Sequence, residues 1–275
     1  MFGTQRLNGE NQAAALAYLS RAPIENVFLT YLILFDVAPA TRDAIHLAID
    51  ERSEVCGVGY FGRQIAIAAQ VPSGVEALVM VGREHRGERM IVGPRNATRM
   101  YWESVAPQHE APRLLRDRQL VMTLDRKTFK PASGVQIVTR KARIDEWTAV
   151  ADNSAAMIAH ELEYDPRASS PAFTANVRAM IDRGLWWVGE SYGRLCFYCN
   201  VGPWSPQTAQ LQGIWTPPEM RGRGLATCAM SGICDRLLAM SPTLSLYVND
   251  FNDRAIALYE RIGFRTTGEF QTILF

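Results

Sequence analysis

The residues best suited to chemistry fall in one stretch, Ile214-Trp215-Thr216-Pro217-Pro218-Glu219-Met220-Arg221-Gly222-Arg223-Gly224-Leu225-Ala226, which leads straight into a helical pattern. Glycines at 222 and 224 let the backbone approach a ligand and turn its amides inward, and the helix that follows presents the positive end of its dipole. Arg221 and Arg223 add charge-assisted donors. Such a loop suits an anionic phosphate; the same residues also suit a basic, solvent-exposed turn. It lacks the spacing and the Lys of a nucleoside-triphosphate loop and differs from the G-x-G-x-x-G fingerprint. A second block, LYVNDFNDRAIALYERIGF at 246–264, follows it with a strand end, asparagines and a helix.

Other reactive side chains point to no chemistry. Cys196-Phe197-Tyr198-Cys199 is a CxxC, but on a strand its two thiols face opposite ways, which disfavours zinc binding and dithiol exchange. His160-Glu161-Leu162-Glu163 lacks the second His of a zinc-protease helix, and the remaining histidines are scattered, so no metal is expected. Trp186-Trp187 and Trp204 read as core or loop-packing aromatics, with Trp204 also able to line an acceptor pocket.

The elements that must position the loop follow from periodicity. Around 125–134 charge, Pro, Ser and Gly cluster between apolar segments, which predicts two domains, 1–130 and 134–275. In the second, Val135 to Thr139 alternates as a strand and Ile144 to Ile158 has helical spacing. Segments 185–190 and 195–201 flank Tyr192-Gly193 as a hairpin, and Ala209 to Trp215 adds a third strand. A helix carrying Leu225, Met230, Ile233, Leu237 and Leu238 runs until Pro242; then come a strand at 243–248, a helix at 253–262 closed by Gly263, and a last strand. The result is a mixed sheet with helices packed on it, an α/β class fold. The first half gives a blurrier version: helices at 10–19 and 26–35, a hairpin of 55–60 with 64–71, a strand at 90–92 and a helix near 98–105. Segments 92–105 and 248–262 each run from a strand end through Asn into a helix with an aromatic and a Glu, the pattern of an internal repeat or of chance.

Composition sets the frame. The chain has 275 residues, 48% hydrophobic and 21% charged, which is globular composition. Its 29 basic against 28 acidic residues give a net charge of +1, so no nucleic-acid partner is expected. Apolar runs such as 27–35 are about half the 18 residues a membrane span needs, and no secretory leader is readable, so the expected location is cytoplasmic. Five cysteines fit reduced thiols better than a disulfide framework.

Together the two blocks resemble the GNAT acetyltransferase superfamily. Its Arg/Gln-x-x-Gly-x-Gly/Ala loop is matched by Arg221, Gly224 and Ala226, and its Asn-x-x-Ala-x-x-x-Tyr-x-x-x-Gly-Phe helix by Asn252, Ala255, Tyr259, Gly263 and Phe264. The resemblance covers about residues 134–275. The whole chain is also similar to two-domain bacterial GNAT proteins with an N-terminal domain of unknown function, through residues 26–29, 91–94, 245–250 and 273–275. The resemblance implies the GNAT acyl-CoA N-acyltransferase fold, as two tandem GNAT-like domains of which the N-terminal one is degenerate. It implies acetyl-CoA as acyl donor, held by Ile214, Trp215, Thr216, Arg221, Gly222, Arg223, Gly224, Leu225, Ala226, Asn249, Asn252 and Ala255. Pantetheine would pair with the backbone of Ile214 and Thr216 and be held by Asn252, pyrophosphate would sit on the amides of 222–226, and a backbone amide near Trp215 would meet the oxyanion. Tyr259 is the implied general acid, a phenol able to protonate a departing thiolate. The strand at 209–213 departs from the family by carrying glutamines where several members place a basic Glu, so Asp250, Glu161 and Glu163 are open as bases, as surface carboxylates, or as neither if water suffices. The expected function is acetyl transfer from acetyl-CoA to an amine, small molecule or protein, without a metal, in a possible homodimer. A non-catalytic acyl-CoA-binding regulatory module and a transferase with another acyl donor are the alternatives.

Overall fold

The computed structural model describes residues 3–36 and 38–275, and within them the chain runs through one series of elements twice. The first series is β1 (Gly3–Arg6), α1 (Gln12–Leu19), α2 (Val27–Phe35), α3 (Pro39–Asp43), β2 (Ile45–Ile49), β3 (Val55–Phe61), β4 (Gln64–Ala69), α4 (Pro72–Gly82), β5 (Met90–Pro94), α5 (Arg95–Val105) and β6 (Leu114–Asp125). The second is β7 (Val138–Lys141), α6 (Trp147–Leu162), α7 (Pro166–Ser169), α8 (Phe173–Asp182), β8 (Trp186–Ser191), β9 (Arg194–Trp204), β10 (Ala209–Trp215), α9 (Leu225–Leu237), β11 (Thr243–Asn249), α10 (Asp253–Arg261) and β12 (Arg265–Leu274). The similar segments 92–105 and 248–262 fall on the same step, β5 into α5 and β11 into α10.

Where periodicity misled, packing is the reason. α4 buries Val75, Ala77, Leu78 and Val79 and shows no polar face to mark it as a helix. α8 rests on only two buried residues, Val177 and Ile181, and its polar remainder hid it. β1, β2, α3, β6 and α7 also went unread. The strand expected from Val135 begins at Val138; before it, the Gln136 carbonyl accepts the Ser191 hydroxyl at 2.9 Å and Ile137 packs on the core. The helix expected from Ile144 starts at Trp147, after a 3₁₀ turn in which the Glu146 carboxylate accepts the Arg143 amide at 2.8 Å.

All twelve strands lie in one sheet, in the order β1-β2-β3-β4-β5-β12-β6-β11-β10-β9-β8-β7. Each series places its last strand beside the penultimate strand of the other. β6 pairs antiparallel with β11 from Thr243↔Asp125 to Asn249↔Gln119, β12 pairs antiparallel with β5 from Phe270↔Pro94 to Leu274↔Met90, and β6 and β12 meet at the centre. The cores follow the exchange. Met122 and Leu124 of β6 are buried with Phe197, Met230, Leu246 and Phe264, while Ile273 of β12 is buried with Leu78, Ile91 and Tyr101. The polar stretch after β6 stays on the body: the Lys130 amide donates to the Ile262 carbonyl at 2.9 Å and the Ala132 amide to the Ser231 hydroxyl at 2.9 Å.

Candidate functional site

β10 and β11 run parallel but pair only at Ala209↔Leu244 and Gln210↔Ser245, then part. A bulge between Gln212 and Trp215 in the β9–β10 ladder bends β10 away. It needs Gly213, whose φ is +61° and whose Cβ, if present, would stand 2.5 Å from the Asn200 amide nitrogen. Parted strands leave backbone amides and carbonyls without ladder partners, a ready set of donors and acceptors for an extended ligand. The gap opens into a cavity of about 570 Å³ walled by β10, β11, α6, α8 and α10 and, from the far side, by residues of β6 and β12.

The structure brings Ile214, Asn249, Asn252, Ala255 and Tyr259 to this cavity. Trp215, Thr216 and the loop 221–226 lie beyond its lining, where the chain passes from β10 into α9. Gly222 and Gly224 have φ of +76° and +75°, Gly224 caps α9, and a Cβ on Gly222 would meet no atom within 4 Å, so an open cradle stands at the helix N-terminus. Leu225 is buried and anchors that helix, while Arg223 is exposed. Arg221 departs from expectation. Its Nε donates to the Thr216 carbonyl at 3.0 Å and its guanidinium lies 4.4 Å over the Trp215 ring, so it braces the end of β10 instead of pointing into the cradle, and it occupies the Thr216 carbonyl.

The Asn252 side chain accepts the Ala255 amide at 3.3 Å and caps α10. Asn249 Oδ1 accepts from Gln119 at 3.0 Å, and Gln119 in turn accepts the Thr272 hydroxyl at 2.5 Å, a buried chain of three side chains across β11, β6 and β12. Tyr259 is buried with its ring against Phe264, and burial holds its phenol above the ordinary value of 10, with the Glu161 charge adding to the effect.

Of the three carboxylates weighed as bases, Glu161 reaches the cavity lining. Glu163 sits exposed just past α6 with φ +56°, and Asp250 is exposed in the turn after β11; neither lines the cavity. Trp204 docks on α2, with ring centroids 4.8 Å from Tyr31 and 5.3 Å from Phe35, and is no part of this pocket. Sequence reasoning passed over Arg116, Gln119, Tyr247 and Asn200 and read Trp186 as a packing aromatic; all five line the cavity. Trp186 and Asn200 face each other across β8 and β9, and both carry a buried polar atom without a partner, Trp186 Nε1 and Asn200 Oδ1. β8 and β9 are buried on both faces, so alternation does not single these residues out, and nothing in one sequence says that they face a cavity.

Residues 147–264 match the model of the acetyltransferase (GNAT) family. This stretch, from α6 to α10, is a GNAT acetyltransferase domain. Across 82 residues, 28% of this chain, the protein is 39% identical to a mycothiol acetyltransferase of Acidimicrobium ferrooxidans; the match spans 26% of that relative, about a quarter of its length. Two solved structures extend the likeness to the whole chain. A Drosophila protein superposes with TM-score 0.68 at 13% identity over 99% of this chain and 98% of its own. A tandem GNAT protein from the clavulanic acid biosynthesis pathway superposes with TM-score 0.56 at 16% identity over 99% and 97%. At these identities they establish the fold, two GNAT-like units in tandem.

The first unit repeats the parted strands of the GNAT domain but not its loop. β4 and β5 pair only at Gln64↔Met90 and Ile65↔Ile91. α4, however, begins Pro72-Ser73-Gly74, and a Cβ on Gly74 would stand 2.4 Å from the Cys56 carbonyl, so the helix start lies flat on β3 with no cradle before it. Among the described residues no group of His, Cys, Asp and Glu is placed to hold a metal ion, and no helix is long and apolar enough to cross a membrane.

Proposed function

We propose that the protein is an N-acetyltransferase that uses acetyl-CoA and passes the acetyl group directly to an amine. The observation that carries this reading is the sequence of features along one strand: β10 parts from β11 at a glycine bulge, and the chain beyond its end passes through two left-handed glycines into α9. An extended pantetheine arm fits the unpaired edge of β10, and a pyrophosphate fits the amides from Gly222 to Ala226. Acetyl-CoA, when bound, supplies the activated thioester carbonyl.

The residues of this chain then bind, orient and move protons. Ile214 and its neighbours present backbone groups to the arm, and an amide near Trp215 is the donor for charge developing on the carbonyl oxygen. Asn252 and Ala255 form the wall beside the arm, while Asn249 is fixed by Gln119. Tyr259 holds a proton on its hydroxyl throughout the neutral range because burial opposes the phenolate, and from the cavity lining it would give that proton to the departing sulfur. Gln210 and Gln212, bonded to each other at 2.9 Å, occupy the strand where a base is otherwise expected, leaving Glu161 as the carboxylate on the cavity lining.

The glutamine pair also favours a second reading, an acyl-CoA-binding module without turnover. Calorimetric titration of the full chain with acetyl-CoA should give one site, and Gly224→Glu should abolish the signal by setting a carboxylate in the cradle. Wild-type protein that does not bind acetyl-CoA would overturn the reading. Binding without CoA release in the presence of any amine would favour the module.

A further inference from the structure

Arg116 enters the cavity from β6, a strand of the first unit. Its side chain is only 13% exposed, and the cavity lining holds no other cation. A guanidinium has five N–H donors, and one buried to this degree is ordinarily matched by several acceptors or a close carboxylate. Here one N–H donates to the Glu161 carbonyl at 3.1 Å, and the Glu161 carboxylate stands 3.9 Å away, outside hydrogen-bond distance. The remaining donors are a site for a planar anion. Because the Glu161 carboxylate stands beside it and repels a second anion in proportion to its charge, a singly charged carboxylate fits there better than a doubly charged phosphate.

On β9, across β11 and β10 from Arg116, the same cavity carries a complementary gap in hydrogen bonding. Asn200 lies under the Gly213 bulge, next to the backbone that would hold the thioester, and its Oδ1 is buried and accepts nothing; Trp186 Nε1, across the strand pair, donates to nothing. Both side chains are more than nine-tenths buried, so each unmade bond costs the ligand-free protein stability that a polar ligand restores. From these two unmatched groups in one cavity we infer that the acceptor is an amino-acid-like molecule, a primary amine that also bears a carboxylate. Arg116 binds the carboxylate and Asn200 Oδ1 takes an N–H of the attacking amine. The first unit thereby reads the acceptor for the second. This inference rests on the transferase reading above.

Arg116 also caps the C-terminal end of α6, and Arg113 does the same, donating to the Leu162 carbonyl at 2.6 Å without lining the cavity. That pair supplies the control. The full-length protein is assayed for CoA release with the standard amino acids, 4-aminobutyrate and β-alanine, each beside its carboxamide. Wild type is expected to favour at least one carboxylate over its amide. Arg116→Gln should lower kcat/KM for that acceptor about 10- to 100-fold, mainly through KM, with no change for the amide. Arg116→Lys, which keeps the charge and the cap but loses the fork, should fall between, and Arg113→Gln should leave the preference intact. Equal kcat/KM for acid and amide, an equal loss for both in Arg116→Gln, or turnover of uncharged amines alone would overturn the inference while leaving the transferase standing. Acetyl-CoA that fails to bind wild type would instead remove the reading on which it rests.

Discussion

Tyr259 is the residue on which the proposed chemistry most directly turns. Its ring helps form the core of the GNAT domain, so replacing it by Phe keeps the packing against Phe264 and removes only the hydroxyl. Turnover of Tyr259→Phe should fall by about 100-fold or more while acetyl-CoA affinity stays within a factor of about two. Steady-state kinetics beside a binding titration separates the two effects, and unchanged turnover would remove Tyr259 from the mechanism. Burial raises the phenol above its ordinary 10, and the donor form is the protonated one. Ionisation of Tyr259 therefore lowers the rate only as pH rises beyond the ordinary phenol range, and any limb between pH 6 and 9 belongs to another group. The asparagines show how much one residue type can conceal. Asn252 was legible as a motif position and is also a helix cap, whereas Asn200 carries the unpartnered oxygen and has no motif at all.

Among the elements, the turn from α10 into β12 is the most constrained by one atom. Gly263 has φ +103°, and a Cβ there would stand 1.9 Å from the Thr128 carbonyl in the segment that leads from β6 to β7. Both the dihedral and the contact exclude a side chain, and neither can relax without moving backbone. Gly263→Ala should lower stability by about 3 kcal/mol in denaturant unfolding; a variant as stable as wild type would mean that the two segments do not press together. The helix cap at Gly263 was readable because glycine after a periodic helix is a local signal. The contact with Thr128 was not, because residues 128 and 263 meet only after the strands have exchanged. The same division holds in β10: the bulge glycine is visible as a Gly in a strand, but its consequence, the parting from β11, depends on where β9 and β11 lie.

At the scale of the molecule the two units are joined by the exchange of β6 and β12, and a group of charges spans that seam. Arg95 at the start of α5 bonds both Asp117 of β6 and Glu269 of β12, and Arg118 donates to Glu269 at 2.7 Å. The Arg95 hydrogen bond holds Asp117 below its ordinary 3.8, and the Arg118 hydrogen bond holds Glu269 below its ordinary 4.5. A carboxylate whose folded pKa is depressed stabilises the fold above its unfolded value, and that contribution is lost as pH falls through the folded one. Thermal stability should therefore be level near neutrality and decline below about pH 4.5, less steeply in the Asp117→Asn, Glu269→Gln double variant. Identical acid profiles for the two proteins would dismiss the seam as a source of acid sensitivity. Because these side chains are largely solvent-facing, added salt should weaken the same contribution.

The sequence by itself determined the local features: the glycine loop before α9, the glycine that closes α10, and the hairpin of β8 and β9, while it left open whether 92–105 and 248–262 are a repeat. Each is written in a few adjacent residues, where propensity, turn chemistry and dipole act over one or two turns of chain. Tertiary structure decided the rest. Only the exchange of β6 and β12 carries Arg116 and Gln119 into a cavity whose other walls lie as far off in sequence as Gln64 and Leu274, and only the pairing of β8, β9 and β10 sets Trp186, Asn200 and Gly213 around one point. Such placements rest on long-range strand register, and register is fixed by the burial of whole faces, which no short window of sequence contains.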